Sequence, residues 1–172
     1  MVTSGPLSPA SGVSQGGGTA WTSPGSILSS NNVYATLTAS TPQQLYASSY
    51  GFAIPAGSTI LGITAEVERK RGTGGSATDS VIQLSKDGSV VGSNLSTGAT
   101  WPTSDAYATF GGAANLWGTT WTAEEINASG FGLILKPSSS VVTASVDYIR
   151  ITVTYEEVVG GFTTIIDTSM AA

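Results

Sequence analysis

The sequence predicts an all-β domain, an antiparallel β-sandwich of jelly-roll-like order with one short helical turn near residues 122–127. Three observations predict it. Charged residues make up 10% of the 172-residue chain, against about 25% in a typical soluble domain, so Ser, Thr, Asn and Gly must supply the polar surface. Thr favours pleated sheet while Gly and Ser favour turns, and the 22 glycines point to many short connections. Short apolar runs, several of period two, recur between turn signals at the intervals of a two-sheet sandwich.

Residues 1–18, with Pro6, Pro9 and Gly16-Gly17-Gly18, hold little that could nucleate a core. They read as a flexible N-terminal arm. The sandwich domain is expected over 19–155. Its first strands fall at 33–38, 43–47 and 50–54, and Pro55-Ala56-Gly57 makes the next turn. Leu61, Ile63, Ala65 and Val67 then alternate with Gly62, Thr64, Glu66 and Glu68, which places the first set on the core and the second in water. After a Gly-rich loop at 71–76, a strand at 80–86 meets Asp87-Gly88. Asp-Gly signals a two-residue hairpin turn, because both central residues need positive φ; residues 89–95 return antiparallel.

A short strand is expected at 107–110. Thr122 followed by Glu125 has capping-box spacing, each side chain able to bond the other's backbone N–H, so one helical turn begins there. Residues 131–135 (FGLIL) are apolar on both faces, as in a central covered strand. The last strand alternates Asp147, Ile149, Ile151, Val153 and Tyr155 with Tyr148, Arg150, Thr152 and Thr154. Residues 156–172 form a C-terminal tail. Within it Phe162-Thr163-Thr164-Ile165-Ile166 is β-prone and follows a Gly-Gly hinge. It could fold back on its own domain or add a strand to a neighbour's sheet edge.

The chain has no His and no Cys. Imidazole- and thiol-based catalysis, disulfides, and imidazole or thiolate metal sites are thereby excluded. Glu66 with Glu68 reads as a solvated strand face, and Glu124 with Glu125 as a helix cap; their spacing shows no convergence across a cleft. Asp79, Asp87 and Asp105 are oxygen donors near predicted loops, but without an EF-hand pattern they read as turn formers. No catalytic, cofactor or metal set is expected, and the chain is read as a non-enzyme. A net charge of −5 and a pI of about 4.4 argue against nucleic acid, which needs a basic footprint. Arg69-Lys70-Arg71 reads as the solvated end of a strand. No apolar run approaches the roughly 20 residues that span a bilayer, so no membrane role is expected. Residues 1–6 lack the pattern of a signal peptide, which predicts synthesis in a cytoplasm.

Trp117 and Trp121 read as core pieces sealing one end of the sandwich. Trp101 follows the polar run 97–100. It either packs beneath its own loop or, exposed, stacks on a sugar or anchors a protein interface. The candidate partner-contacting residues are therefore Phe162, Ile165, Ile166 and Trp101.

Four segments carry a resemblance: Ile-Pro-Ala-Gly-Ser-Thr-Ile-Leu-Gly-Ile at 54–63, Leu-Trp-Gly-Thr-Thr-Trp-Thr at 116–122, Ile126-Asn127 with Phe131-Gly132, and Val-Asp-Tyr-Ile-Arg-Ile-Thr-Val at 146–153. In this order, over roughly residues 20–155, they resemble the β-sandwich structural proteins of tailed-bacteriophage virions and related bacterial surface proteins. The resemblance implies a capsid decoration, or cement, protein on the head surface, made in the host cytoplasm. Its partners would be the major capsid protein and itself, as a homotrimer. No catalytic motif travels with it. Two alternatives stand beside this expectation: a carbohydrate-binding or adhesin module built around Trp101 and Tyr107, and another virion component such as a tail or head-fibre protein.

Overall fold

The computed structural model describes residues 1–138 and 140–158. Ten strands form two five-stranded antiparallel sheets packed face to face. They are β1 (Val2–Leu7), β2 (Ser11–Gln15), β3 (Ala35–Ala39), β4 (Gln44–Ser48), β5 (Thr59–Arg71), β6 (Asp79–Lys86), β7 (Ser89–Val91), β8 (Ala106–Gly112), β9 (Gly132–Pro137) and β10 (Ser140–Glu156). The first sheet has the order β1-β10-β5-β8, with β3 also paired to β10; the second runs β2-β4-β9-β6-β7. The chain changes sheets at every connection save the β6–β7 hairpin. Strands β3 to β10 thus lie in the orders 3-10-5-8 and 4-9-6-7, a jelly-roll arrangement.

Alternation builds the core as the sequence predicts. Ile63, Ala65 and Val67 of β5 and Ile149, Ile151 and Val153 of β10 are fully buried, as are Ile82 and Leu84 of β6 and Leu133 and Leu135 of β9. Two departures from strict alternation fall at register breaks. The β5–β10 ladder skips Leu61, which is half-buried, and Ile60 takes the core position. It also skips Asp147, expected to alternate with core residues. The Asp147 carboxylate instead accepts the backbone N–H of Asn32 at 3.1 Å and of Asn31 at 3.4 Å, pinning the loop before β3. An extra residue in one strand is left unpaired and re-aimed; here it becomes a loop anchor.

The flexible arm expected at 1–18 is corrected: β1 pairs with β10 and β2 with β4, so the leader contributes one strand to each sheet. Main-chain ladders at sheet edges hold it, and these need few apolar side chains, so composition misread it. Pro6 falls in the β1 register break between Ser4 and Leu7, where a missing donor costs no regular ladder bond.

Residues 50–54 are not a strand. Tyr50, Phe52 and Ile54 are buried in alternation, but among the described residues no neighbouring strand pairs with the segment. The Asn127 side chain substitutes for one: its Oδ1 accepts the Ile54 N–H at 2.9 Å and its Nδ2 donates to the Ile54 carbonyl at 2.8 Å. The return strand expected over 89–95 stops at Val91, after which the Asn94 amide bonds Ile82 N and Ser80 O in its place.

The local motifs hold. Asp87 and Gly88 have φ of 49° and 79°, and Lys86 pairs with Ser89 across them. The helical turn α1 (Ala123–Asn127) carries the full capping box: Glu125 N donates to Thr122 Oγ1 at 3.2 Å, and Thr122 N to Glu125 Oε2 at 3.0 Å. Trp121, Phe131, Phe52 and Tyr50 form a chain of ring contacts that closes one end of the sandwich. Trp117 is buried, its indole N–H donating to the Ile63 carbonyl at 2.8 Å.

Candidate interaction surface

The charged residues are turned toward one another more than toward solvent. Arg69-Lys70-Arg71, expected at the solvated end of a strand, is engaged at each residue. Alternation sends Arg69 into the core, where it pairs with Asp79 and lies between the rings of Trp101 and Phe110, its Cζ 4.7 and 5.3 Å from their centroids. Lys70 points to the opposite face, 2.6 Å from Tyr34 Oη and 3.0 Å from Asp105 Oδ2. The bond to Tyr34, followed by Asp105, raises its pKa. Arg71 donates to the carbonyls of Trp101 and Gly72.

Trp101 is 1% exposed and cannot serve as a surface platform, which corrects its place among the partner-contacting candidates. Its indole N–H donates to Asp79 Oδ1 at 3.0 Å, and its backbone N–H to the Ala77 carbonyl at 2.8 Å. Burial pushes the Asp79 carboxyl above its usual pKa, while the Arg69 guanidinium and the Trp101 indole pull it down. Asp79 and Asp105 are thus partners of the chain's own cations, and Asp87 forms the hairpin turn. Among the described residues no group of three or more acidic side chains is placed to hold a metal.

The outer face of the first sheet carries a second network. Arg150 on β10 grips Glu66 on β5 with two bonds, Nε at 2.8 Å and one terminal nitrogen at 3.0 Å. Arg150 also lies 4.6 Å from the Tyr107 ring centroid. Burial, then a hydrogen bond to Glu68, raises the Tyr107 pKa. Glu66 and Glu68, read as solvated, are tied to neighbouring strands instead. Glu125 is held below its usual pKa chiefly by Lys86, 2.5 Å away.

A further candidate is backbone, at one edge of the first sheet. Among the described residues β8 ends the first sheet; it pairs with β5 in register from Ala106–Arg69 to Gly112–Ile63, and its last residue, Gly112, also bridges Asn115. Among the described residues, 106–110 make no backbone hydrogen bond outside that ladder. Ala106-Tyr107-Ala108-Thr109-Phe110 contains no charge and no proline, and Tyr107 is 42% exposed. The other edges are blunted. β7 has three residues, β1 is broken at Pro6, β3 is bridged on its outer side at Thr36 by Thr22, and β2 is flanked by the 3-10 turn Pro24–Ile27, whose Pro24 carbonyl and Ile27 side chain lie against Gly12. Natural edges are usually protected by charge, proline, brevity or a bulge; β8 is protected only at its end, by Gly111 and Gly112 at φ of 75° and 158°. Phe162, Ile165 and Ile166, the other partner-contacting candidates, lie outside the described residues.

No protein family, no curated protein and no solved structure matches the chain. The resemblance to phage virion proteins therefore rests on the residues that carry it.

Proposed function

We propose that the protein is a non-enzymatic virion structural protein, a capsid decoration protein that stabilises a phage head by binding across capsomers. The observation that carries this reading is the uncharged edge of β8, open among the described residues, on a jelly roll whose cations are largely paired internally. Arg69, Lys70, Lys86 and Arg150 each meet an acidic partner within the chain. That leaves a surface rich in Ser, Thr and Gly, with main-chain donors and acceptors along one edge. Such a surface grips protein by β-addition and apolar contact. The resemblance supplies the partner, the major capsid protein, and the place, the outside of the head.

The test mixes the purified chain with bare phage heads, followed by sedimentation and by heat or chelator challenge. Co-sedimentation with a rise in the temperature of shell rupture is the expected result. Heads that sediment alone, or bind without any gain in resistance, would refute the reading.

One observation favours glycan binding as a second reading. Tyr107 is an exposed aromatic ring on the sheet face, beside Arg150, Glu66 and Glu68. A sugar could stack on it, with the platform at Tyr107 in place of buried Trp101. A glycan array with wild type and Tyr107→Ala decides this: a specific signal lost in the variant supports it, and an array without signal removes it.

A further inference from the structure

The chain emerges from β10 away from β8. Glu156 pairs with Thr59, and Val158 lies over Gly57, its side chain 3.4 Å from where a Cβ there would sit. The near end of the open edge is Gly112, opposite Ile63. From Gly57 to the level of Ile63, and two strands sideways to the outside of β8, is a distance of about 20 Å, at roughly 3.3 Å per residue and 4.8 Å per strand. Four chain steps separate Val158 from Phe162, and they span at most about 14 Å. The open stretch 106–110 begins farther still, at Phe110 opposite Ala65, so residues 162–166 cannot lie alongside it in their own chain.

The segment is nonetheless matched to that edge. Phe-Thr-Thr-Ile-Ile at 162–166 is five residues of aromatic and β-branched side chains without charge, the composition of a strand. The unpaired part of β8, residues 106–110, is also five residues long and uncharged. An exposed edge of this kind is a template for a strand from another chain.

We infer that residues 162–166 of one copy add as a sixth strand to β8 of a second copy, so that the protein self-assembles by strand exchange. The inference rests on the assembly reading above in taking the partner of the edge to be protein, and it deepens that reading by naming a second copy of this chain. Every copy both gives a strand and receives one. The interface is reciprocal in a pair and head-to-tail in a closed ring such as a trimer. Main-chain hydrogen bonds supply the affinity, and the Gly111–Gly112 bend stops the added strand at one end.

Because the chain has no cysteine, pairs of introduced thiols report the contact without background. Copies carrying Thr109→Cys are mixed with copies carrying Thr164→Cys and oxidised with copper–phenanthroline. The expected product is a covalent dimer on a non-reducing gel, enriched several-fold over either variant alone. Light scattering should give a multiple of the 17.3 kDa chain mass, and Thr164→Pro should reduce it to a single chain. A wild-type monomer, an oligomer indifferent to Thr164→Pro, or absence of the mixed dimer overturns the inference. So does a cross-link found only when Glu124→Cys and Thr164→Cys share one chain, since that places the tail on its own domain. Exchange without head binding sinks the decoration reading alone; head binding by a monomer sinks the exchange alone.

Discussion

Asp79→Ala should be among the most damaging substitutions in the protein. Its carboxylate balances the buried guanidinium of Arg69 and accepts the indole N–H of Trp101. Removing one member of a buried ion pair costs about 3–5 kcal/mol, because the other charge is left in the core. A buried N–H without an acceptor adds about 1–3 kcal/mol. The two penalties share one carboxylate and do not add fully, so the expected loss is about 4–5 kcal/mol. Domains are stable by only about 5–15 kcal/mol, and for a chain of this length the loss lowers Tm by roughly 8–20 °C. Urea unfolding followed by tryptophan fluorescence and far-ultraviolet dichroism measures it. The decisive comparison is Arg69→Met with Asp79→Ala. Met keeps apolar volume between Trp101 and Phe110 and removes the stranded charge, so the double variant should recover at least about 2 kcal/mol relative to Asp79→Ala. A loss below about 1 kcal/mol in the single variant, or a double variant no better than the single, would refute the account of this core.

Three other outcomes follow from the same structure. Trp21, Trp101, Trp117 and Trp121 are all buried, so iodide should barely quench the native emission; a substantial quenchable fraction would put an indole on the surface. A Cβ at Gly111 would run into the Ile63 carbonyl and the Trp117 indole, at a φ of +75°; Gly111→Ala should cost at least about 2 kcal/mol, read as a fall in urea midpoint. Glu125 has a folded pKa below its usual 4.5, set first by Lys86. Its contribution is present above that value and is lost as pH falls through the folded one. The difference in urea midpoint between wild type and Glu125→Gln should therefore vanish in acid, and a difference that persists below the carboxyl range would contradict the pairing. Asp79 works in the opposite sense: its raised pKa means the folded chain binds that proton more tightly, so its contribution falls as pH rises from 3.8 to the folded value.

Much of the fold was legible because it depends on local rules. Alternation in β5 and β10, Asp87-Gly88, and the Thr122–Glu125 box each express a backbone geometry within a few residues; the turn and the box form as read, and the alternation does so except at the register breaks at Leu61 and Asp147. The edge strands β1 and β2 were illegible for a physical reason. Their ladders use main-chain groups common to all residues, so a stretch rich in Ser, Gly and Pro can be ordered once β10 and β4 are there to receive it. The segment 50–54 shows the converse. Expected as a strand, it does bury Tyr50, Phe52 and Ile54 in alternation, yet Ile54 bonds Asn127, a side chain 73 residues away in sequence. Periodicity reports which face is covered and says nothing of what covers it.

The same limit governs the candidate surface. Arg69, Lys70 and Arg71 alternate faces like any strand residues, so one enters the core and its neighbour the opposite side. Whether an inward arginine is tolerable depends on Asp79 and Trp101, which β6 and the β7–β8 connection bring to it. Once the cations are matched internally, few remain to guard an exposed strand. β7 is guarded by brevity, β1 by Pro6 and its register break, β3 by the bridge from Thr22, β2 by the 3-10 turn, and β8, among the described residues, by nothing along 106–110. An unguarded edge in a soluble chain promotes uncontrolled association unless a defined partner occupies it. The internal charge pairing and the open edge are thus two sides of one arrangement, and adding a lysine to the edge separates its consequences. Thr109→Lys should leave the urea midpoint within about 0.5 kcal/mol of wild type, as for a surface change, while weakening self-association. If stability falls and association persists, the edge is packed within the monomer and is not an assembly surface.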